Sequence, residues 1–364
     1  MKFLDEFRNP EIGKILVGKI RGLLEDSGGL ITLMEICGTH TMSIARNGIR
    51  GLFPGRIRML SGPGCPVCVT PNEYLDRAVA FSRRKDILLA TFGDMMKVPG
   101  SSSSLLEEKT GGAEIAVVYS PMDALALSKR YPDRKVIFLG VGFETTAPTI
   151  AATLKSAREA NLKNFYVFGA NKLVPPAIRA LLDDPKLEIS GFLCPGHVST
   201  IIGDKPYEFA AKEYGVPCVI AGFEPMDILE SMRMIVETIA GEKEAKVEIQ
   251  YLRAVKPEGN PRALEIMNEV FEPGDSIWRG LGNIPGSGLH FREEYREFDA
   301  ESEIPVEVEE TREDPSCICG EILRGVKSPK DCPLFRKACH PGHPVGPCMV
   351  STEGTCAAWY KYEI

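Results

Sequence analysis

The sequence predicts an α/β protein in which two similar Rossmann-like units of the βαβ type form a cleft, followed by a small, loop-rich unit. Three observations lead to this fold class. Short apolar runs alternate with amphipathic segments between residues 30 and 240, an order typical of parallel sheets. Loops that contain glycine or proline follow these runs, and in open α/β sheets ligands bind at that edge. The last segment instead carries six of the eleven cysteines.

The elements follow one another in a regular order. A helix opens the chain, because apolar side chains recur at helix spacing in its first thirty residues. The apolar runs predicted to be strands are residues 31–36, 57–60, 87–92, 115–119, 136–139, 165–168, 189–193, 216–221 and 247–252. The segments predicted to be helices are residues 72–82, 122–129, 146–160, 177–182, 226–239 and 261–271. A glycine-rich stretch at 278–288 and an acidic stretch at 301–314, interpreted as a solvated connector, precede the cysteines.

This order predicts three domains, since 364 residues exceed the length of one ordinary domain. The first α/β domain covers residues 1–120 and is completed by part of 250–290. The second covers residues 121–245, and the cysteine-rich domain covers 290–364.

Composition excludes several classes of protein. The net charge of −7 argues against a nucleic-acid binder, which usually presents a basic face. No apolar run approaches the roughly 18 residues that would span a bilayer, so no membrane partner is expected. The first residues lack the apolar core and cleavage site of a secretory signal, which predicts a cytoplasmic protein. Structural disulfides are rare in that compartment.

The cysteine tail is too rich in proline and glycine to bury much apolar area by itself, so another interaction must hold it. Its spacings favour an iron–sulfur cluster, with four thiolate ligands and two cysteines left over. Zinc is the main alternative, although the tail lacks the paired Cys-x-x-Cys of most zinc sites. Inert cysteines are the third interpretation. The six residues are Cys317, Cys319, Cys332, Cys339, Cys348 and Cys356.

The loop after the first predicted strand brings a thiol and an imidazole together, in Cys37 and His40. The functional interpretation is that Cys37 is a soft-metal ligand or a nucleophile, with His40 tuning it. The structural interpretation, a buried cysteine and a hydrogen-bonded core histidine, has about equal weight at this point.

The loop after the second predicted strand contains a Cys-x-x-Cys pair, Cys65 and Cys68, with a proline inside it. Such a pair between a strand and a helix resembles a redox dithiol, because a helix N-terminus favours the thiolate. Half of a zinc knuckle is the alternative, but the chain offers no second Cys-x-x-Cys to complete one.

Three further strand-end loops carry candidate polar groups. Residues 140–148 resemble a dinucleotide-binding turn only in part, since Thr145 stands where the last glycine belongs, and we predict no nicotinamide or flavin. Glu144 in that loop is a candidate proton carrier or an ordinary helix-start carboxylate. His197 is the second candidate, after His40, for metal contact or proton transfer, and Glu224 follows another strand. Cys194 and Cys218 are predicted to be core residues.

Long motifs occur in a fixed order along nearly the whole chain: Cys37-Gly38-Thr39-His40-Thr41, Gly62-Pro63-Gly64-Cys65-Pro66-Val67-Cys68, Gly142-Phe143-Glu144-Thr145-Thr146-Ala147-Pro148, Pro195-Gly196-His197-Val198, Trp278-Arg279-Gly280-Leu281-Gly282 and the tail from Cys348 to Cys356. These motifs resemble the signature loops of the HypD family. That family comprises maturation factors that help to assemble the Fe(CN)2CO unit of nickel–iron hydrogenases.

The resemblance implies two similar α/β domains around a cleft and a smaller domain with a 4Fe-4S cluster. The tail is similar to the cluster region of ferredoxin:thioredoxin reductase. The family pattern implies that the cluster ligands are Cys317, Cys332, Cys339 and Cys356. It implies an adjacent dithiol or disulfide formed by Cys319 and Cys348, and a second redox pair at Cys65 and Cys68.

The resemblance also implies partners. Cys37 would hold the iron of Fe(CN)2CO together with the N-terminal cysteine of the small chaperone HypC. HypE would donate cyanide from a thiocyanate carrier, HypF would act upstream, and the hydrogenase large subunit would receive the product. A thiolate is a soft donor that suits low-spin iron. From their strand-end positions we expect four residues to manage protons in the cleft: His40, His197, Glu144 and Glu224.

Two other classes of function remain open from the sequence. A protein disulfide reductase that depends on a 4Fe-4S cluster would not require Cys37. A zinc-stabilised α/β binding protein would use the tail as a structural element. The role of Cys37 distinguishes the scaffold from the reductase, and the identity of the metal distinguishes both from the binding protein.

Overall fold

The structure is a computed structural model that describes residues 5–241 and 243–363. Eleven strands lie in the described part of the chain, and each run predicted to be a strand contains one. In chain order they are β1 Ile31–Glu35, β2 Ile57–Ser61, β3 Ile87–Thr91, β4 Ile115–Val117, β5 Lys135–Gly142, β6 Phe165–Asn171, β7 Gly191–Pro195, β8 Cys218–Ala221, β9 Val247–Ile249, β10 Phe271–Trp278 and β11 Gly282–Phe291.

The α-helices agree closely with the predicted segments and add several short ones at the loops. In chain order they are α1 Pro10–Asp26, α2 Gly38–Arg46, α3 Pro66–Val69, α4 Asn72–Ser82, α5 Leu105–Thr110, α6 Pro121–Arg130, α7 Ala147–Glu159, α8 Val174–Leu182, α9 Gly196–Ile202, α10 Glu208–Tyr214, α11 Pro225–Ile239, α12 Pro261–Val270, α13 Ala300–Glu303, α14 Cys319–Leu323, α15 Pro347–Val350 and α16 Thr355–Tyr362. No helix among the described residues is both long and apolar enough to cross a bilayer.

Two parallel sheets form the centre of the fold, as the alternation of strands and helices predicts. The first has the order β2-β1-β7-β8-β9, and the second has the order β4-β3-β5-β6. Every residue of β1 and of β3 is buried, because helices cover both faces of these sheets. A mixed α/β fold with Rossmann-like sheets is therefore confirmed.

The strands pair differently from the predicted division at residues 120 and 121. β3 and β4 precede that point but pair with β5 and β6, which follow it. β7, β8 and β9 lie in the predicted second domain but extend the sheet that begins with β1 and β2. The chain thus forms the first two strands of one sheet, then all four strands of the other, and then the last three strands of the first. Periodicity identifies strands but not their partners, so the sequence did not reveal this order.

The glycine-rich stretch belongs to a β-hairpin, which the sequence did not predict. β10 and β11 pair antiparallel, with an irregular register between Gly274 and Ser276. Gly280 and Gly282 in its turn have φ of 83° and 77°, values that glycine adopts without strain. Trp278, at the end of β10, is buried and stacks on Phe143. The hairpin therefore connects the second sheet with the loops at the centre of the molecule.

The acidic connector is exposed over most of its length, as predicted, but hydrogen bonds attach it to the rest of the protein. The backbone N–H of Arg312 donates to Ser101 Oγ at 2.7 Å, and Asn72 Nδ2 donates to the Arg312 carbonyl at 2.8 Å. Val306 packs against the main core. These contacts fix the path by which the chain enters the cysteine tail.

Candidate functional site

Cys37 lies at the junction of β1 and α2, with 8% of its surface exposed. It precedes the first residue of α2 in extended backbone geometry, so its side chain faces the N-terminus of that helix. The N–H of Gly38 donates to the carbonyl of Gly64 at 3.0 Å. A Cβ on Gly64 would lie 2.1 Å from the Cys37 nitrogen, so only glycine permits this approach. The Cys37 loop and the loop that carries Cys65 are thus in direct backbone contact.

Burial raises the pKa of the Cys37 thiol to about 12. The backbone N–H of His40 opposes this shift, whereas the nearby carboxylate of Glu353 adds to it. Without a cation, Cys37 therefore remains a thiol at neutral pH. A soft metal ion would supply the compensating positive charge, since metal binding displaces the proton of a thiol ligand.

Glu35, the last residue of β1, binds the Cys37 loop through its carboxyl group. Its Oε2 accepts the N–H of Cys37 at 3.0 Å, and its Oε1 accepts the hydroxyl of Thr41 at 2.5 Å. Burial raises the pKa of Glu35 to about 7, against the lowering effect of these hydrogen bonds. The carboxyl group is fully buried, so it acts within the protein on the loop rather than on solvent.

His40 and His197 both contact the ring of Phe223, with ring centroids 5.0 and 4.0 Å from that of Phe223. His40 is fully buried, which lowers its pKa to about 4, and its Nε2 lies 2.9 Å from the carbonyl oxygen of Gly222. Because a carbonyl only accepts, Nε2 carries the hydrogen and Nδ1 does not. Nδ1 is buried and has no hydrogen-bond partner. His197 is exposed, so the two imidazoles connect the buried end of the site with its surface.

Cys65 and Cys68 are joined by a disulfide and are buried. Cys65 caps α3, and its sulfur accepts the N–H of Cys68 at 3.2 Å. The predicted pairing of these cysteines as a redox couple agrees with this geometry. Helix α15, which carries Cys348, is in contact with α3. The first cysteine pair therefore lies between the Cys37 loop and the tail.

All six tail cysteines line one narrow cavity, together with the apolar side chains of Ile322, Leu334, Phe335 and Met349. Within it, the sulfurs of Cys319 and Cys348 are 2.8 Å apart. Hydrogen bonding with the thiols of Cys317 and Cys348 lowers the pKa of Cys319, and the cation of Arg279 acts in the same direction. The backbone N–H of Val345 donates to the sulfur of Cys339 at 3.4 Å.

The donor set of this cavity fits an iron–sulfur cluster. Four thiolates in an apolar, enclosed space are the usual surroundings of such clusters. In the part of the chain that the structure describes, no three Cys, His, Asp or Glu side chains are grouped so as to hold a single metal ion. A cluster does not require that grouping, because each thiolate binds a different iron. The residues therefore fit a cluster cofactor in their chemistry and enclosure.

The tail also reaches the Cys37 loop through Glu353, a residue that sequence reasoning missed. Its Oε1 accepts the hydroxyl of Thr39 at 2.8 Å. A Cβ on Gly38 would lie 2.3 Å from the Cβ of Glu353, so the two backbones pack without space between them. The signal in the sequence was a single charged residue in the motif between Cys348 and Cys356.

Two of the predicted polar residues are engaged at helix N-termini, and one of them, Glu224, also lines a pocket together with Thr39 and Phe223. Glu144 is buried, and its Oε1 accepts the N–H of Val174, the first residue of α8, at 2.9 Å. Its Oε2 has no partner, and burial raises its pKa to about 7. Glu224 forms an ion pair with Arg8 at 2.5 Å and caps α11. Both carboxylates thus stabilise helix N-termini. Cys194 and Cys218 are fully buried in neighbouring strands, which confirms them as core residues.

Comparison with known proteins identifies the family. Residues 11–363 match the family profile HypD, described as the "Hydrogenase formation hypA family". The chain is 46% identical to hydrogenase maturation factor HypD2 of Bradyrhizobium diazoefficiens, covering 100% of this chain and 97% of the relative. It is 45% identical to HypD of Azotobacter vinelandii and 44% identical to HypD of Escherichia coli, covering all of this chain and 97% and 98% of those relatives.

Proposed function

The chain belongs to the HypD family of hydrogenase maturation factors, and from this premise we propose that it is the scaffold and redox partner for assembly of the Fe(CN)2CO unit of nickel–iron hydrogenases. We propose that it works in the cytoplasm with HypC, receives cyanide from HypE downstream of HypF, and serves the hydrogenase large subunit.

One observation carries the proposal: three groups of cysteines adjoin one another. The Cys37 loop touches the Cys65 loop through Gly64, and α3 behind that loop touches α15 of the tail. Glu353 joins the tail directly to Thr39. A metal-binding thiol, a disulfide and a thiol-lined cavity in succession form a path from a redox centre to an assembly site.

Cys37 is the proposed ligand for the iron cargo. Its buried thiol meets the N–H groups of Thr39 and His40, which favour its ionised form. The surrounding carboxylates Glu35 and Glu353 disfavour a bare thiolate, so the loop is arranged to hold a charged sulfur only together with a cation. An N-terminal cysteine of HypC would complete the thiolate set from the open side.

The proposed cluster ligands are Cys317, Cys332, Cys339 and Cys356, which leaves the close pair Cys319 and Cys348 for disulfide chemistry. When bound, a 4Fe-4S cluster supplies single electrons at low potential. The apolar walls formed by Ile322 and Phe335 exclude water from this cavity. Cys319 and Cys348 would face the first pair through the contact of α15 with α3.

Electrons would reach the Cys37 site by thiol–disulfide exchange. A thiolate of the Cys319 and Cys348 pair attacks the Cys65–Cys68 bond, that bond breaks, and a bond between Cys319 and Cys348 forms. Two electrons and two protons pass to the sulfurs of Cys65 and Cys68. Release of cyanide from a thiocyanate then consumes two electrons, since R–S–CN becomes RS⁻ and CN⁻.

His40 and His197 are the proposed proton carriers, because they connect buried and exposed parts of the site across Phe223. His40 Nδ1 is a neutral, unpaired base within the protein. Glu144 and Glu224 are the other proposed carriers, and in the structure both carboxylates are engaged at helix N-termini.

The first test is the iron, zinc and acid-labile sulfide content of protein purified without oxygen. We expect iron and sulfide in equal amounts, about four of each per chain. Zinc without sulfide would overturn the redox route and leave a structural tail.

A second test separates the scaffold from a disulfide reductase. We expect Cys37→Ala to abolish hydrogenase maturation and the infrared bands of bound cyanide and carbon monoxide, while the cluster stays intact. Cys194→Ala, a buried thiol in β7, is the matched control and should retain both. Full maturation by Cys37→Ala would favour the reductase.

A further inference from the structure

Arg279 is a buried cation beside the cysteine tail, and the redox route proposed above gives it no role. Only 8% of its surface is exposed, although it lies at the turn of the β10–β11 hairpin. Burial of an arginine is unfavourable unless its donors find acceptors, so the partners of this side chain are informative.

Two donors of Arg279 bind the C-terminal end of α3, the short helix that Cys65 caps and that contains Cys68, and a third binds the first residue of α4. Its backbone N–H donates to the carbonyl of Val69 at 2.8 Å, and Nε donates to the carbonyl of Thr70 at 3.0 Å. Nη2 donates to Oδ1 of Asn72 at 3.1 Å. A guanidinium at this place satisfies carbonyls that a helix C-terminus leaves unpaired.

The remaining contacts of Arg279 lead to the tail. Nη1 forms an ion pair with Glu313 at 2.9 Å, and Glu313 lies four residues before Cys317 on the connector. Asn72, which receives Nη2, itself donates to the carbonyl of Arg312 at 2.8 Å. One side chain thus joins the first cysteine pair to the chain entering the cysteine-lined cavity.

The backbone beside Arg279 makes the same connection. A Cβ on Gly280 would lie 2.5 Å from Cα of Gly320, so the hairpin turn and the residue after Cys319 are in direct contact. Gly280 has a φ of 83°, which also favours glycine.

We propose that Arg279 is a positioning residue that holds the cysteine tail against the Cys65–Cys68 helix, so that the two cysteine pairs can exchange electrons. The proposal rests on the redox function proposed above. It assigns a role to the Trp278–Gly282 motif, whose arginine fork binds both partners at once. Lysine cannot replace it, because a single ammonium lacks the planar set of donors.

The test uses full-length, anaerobically purified protein and follows disulfide redistribution. The fully oxidised chain receives one equivalent of dithiothreitol, samples are quenched with acid, and differential alkylation with mass spectrometry reports which pair is oxidised. We expect Arg279→Gln and Arg279→Lys to slow redistribution between the pairs on the order of 10-fold, because small misplacements of reacting groups reduce rates strongly. Wild-type rates in both variants, or in Arg279→Lys alone, would overturn the inference.

Hydrogen exchange of residues 305–320 gives a readout that does not depend on redox chemistry. We expect exchange in Arg279→Gln to be about 10-fold faster there, with the two sheets unchanged. Glu313→Gln, at a half-exposed position that leaves the fold intact, should show a smaller change in the same segment. Arg312→Gln is the matched control, because its side chain is 76% exposed, and it should resemble wild type.

The two readouts separate failure of this inference from failure of the proposed function. If wild-type protein does not redistribute disulfides, the redox function is wrong. If wild type redistributes them and the Arg279 variants do so equally, with unchanged exchange in the connector, Arg279 is not the positioning residue.

Discussion

The Cys37 loop and the cysteine tail hold their thiols by different means. Cys37 follows a fully buried strand, and its neighbours are fixed by Glu35 and by the start of α2. The tail has only short helices and turns, and its six cysteines line one cavity together with a few apolar side chains. The first site is formed by the sheet itself, whereas the second depends on whatever its thiols bind.

The two regions therefore differ in what keeps their backbone rigid. Parallel strands position the loops at their carboxyl ends regardless of a cofactor, because the hydrogen-bonded sheet already fixes them. A loop-rich segment cannot offset its conformational entropy without an added cross-link or metal. The tail is therefore expected to respond to loss of its cofactor, and the Cys37 loop is not.

Removal of the proposed cluster should show the largest difference between the two regions. Chelation of iron under air, or the double variant Cys332→Ala and Cys339→Ala, should raise amide exchange in residues 317–356 by about 1,000-fold, or roughly 4 kcal/mol, because metal binding and local folding are coupled. Amides of β1 and α2 should keep their protection. The measurement is hydrogen exchange by mass spectrometry, and equal loss in both regions would contradict the comparison.

The pH dependence of stability should identify a buried carboxyl within the α/β scaffold. The pKa of Glu144 is raised to about 7, so its favourable contribution is present below pH 4.5 and is lost as pH rises through 7. When the pH rises from 5 to 8, the unfolding free energy of wild type should fall by about 2–3 kcal/mol more than that of Glu144→Gln. Urea unfolding followed by circular dichroism measures this.

The control for this titration is Glu159→Gln, an exposed position near the end of α7, which should follow wild type. The pKa of Glu35 is also raised by burial, so the stability of Glu144→Gln should still fall with rising pH, but less steeply than that of wild type. If the unfolding free energy of Glu144→Gln depends on pH as that of wild type does, Glu144 is not the titrating group. Unchanged hydrogenase maturation by Glu144→Gln would separately remove it from the proton-transfer proposal.

The smallest effect is expected where the two regions touch. Gly38→Ala would place a methyl group 2.3 Å from the Cβ of Glu353, so the tail must shift away from the Cys37 loop. We expect a loss of about 1–3 kcal/mol in unfolding free energy, as for other overpacked sites. Gly22→Ala in α1 meets open space and should instead stabilise by about 0.5–1 kcal/mol. If the two variants change the unfolding free energy equally, the contact between the two regions does not contribute to stability.

Local patterns predicted most of the elements. The segment 72–82 is α4, because its apolar side chains repeat at helix spacing and pack on the main core. The apolar run 87–92 predicted a strand, and β3 occupies 87–91 with every residue buried, as is usual for a central parallel strand. The hairpin at 271–291 was missed, since its strands carry glycine, proline and serine instead of the β-branched residues that mark a strand.

The sequence by itself determined the chemistry of this protein: which thiols, imidazoles and carboxylates are present, in which motifs, and on which strand-end loops they lie. These properties are local, since a motif and a hydrophobic period involve residues close in the chain. The tertiary structure alone decided the pairing of β7 with β1, the meeting of Glu353 with Thr39, and the position of Arg279 between two groups of cysteines. Each of these contacts joins residues at least 30 positions apart in the chain, and their partners are selected by the packing of the whole core.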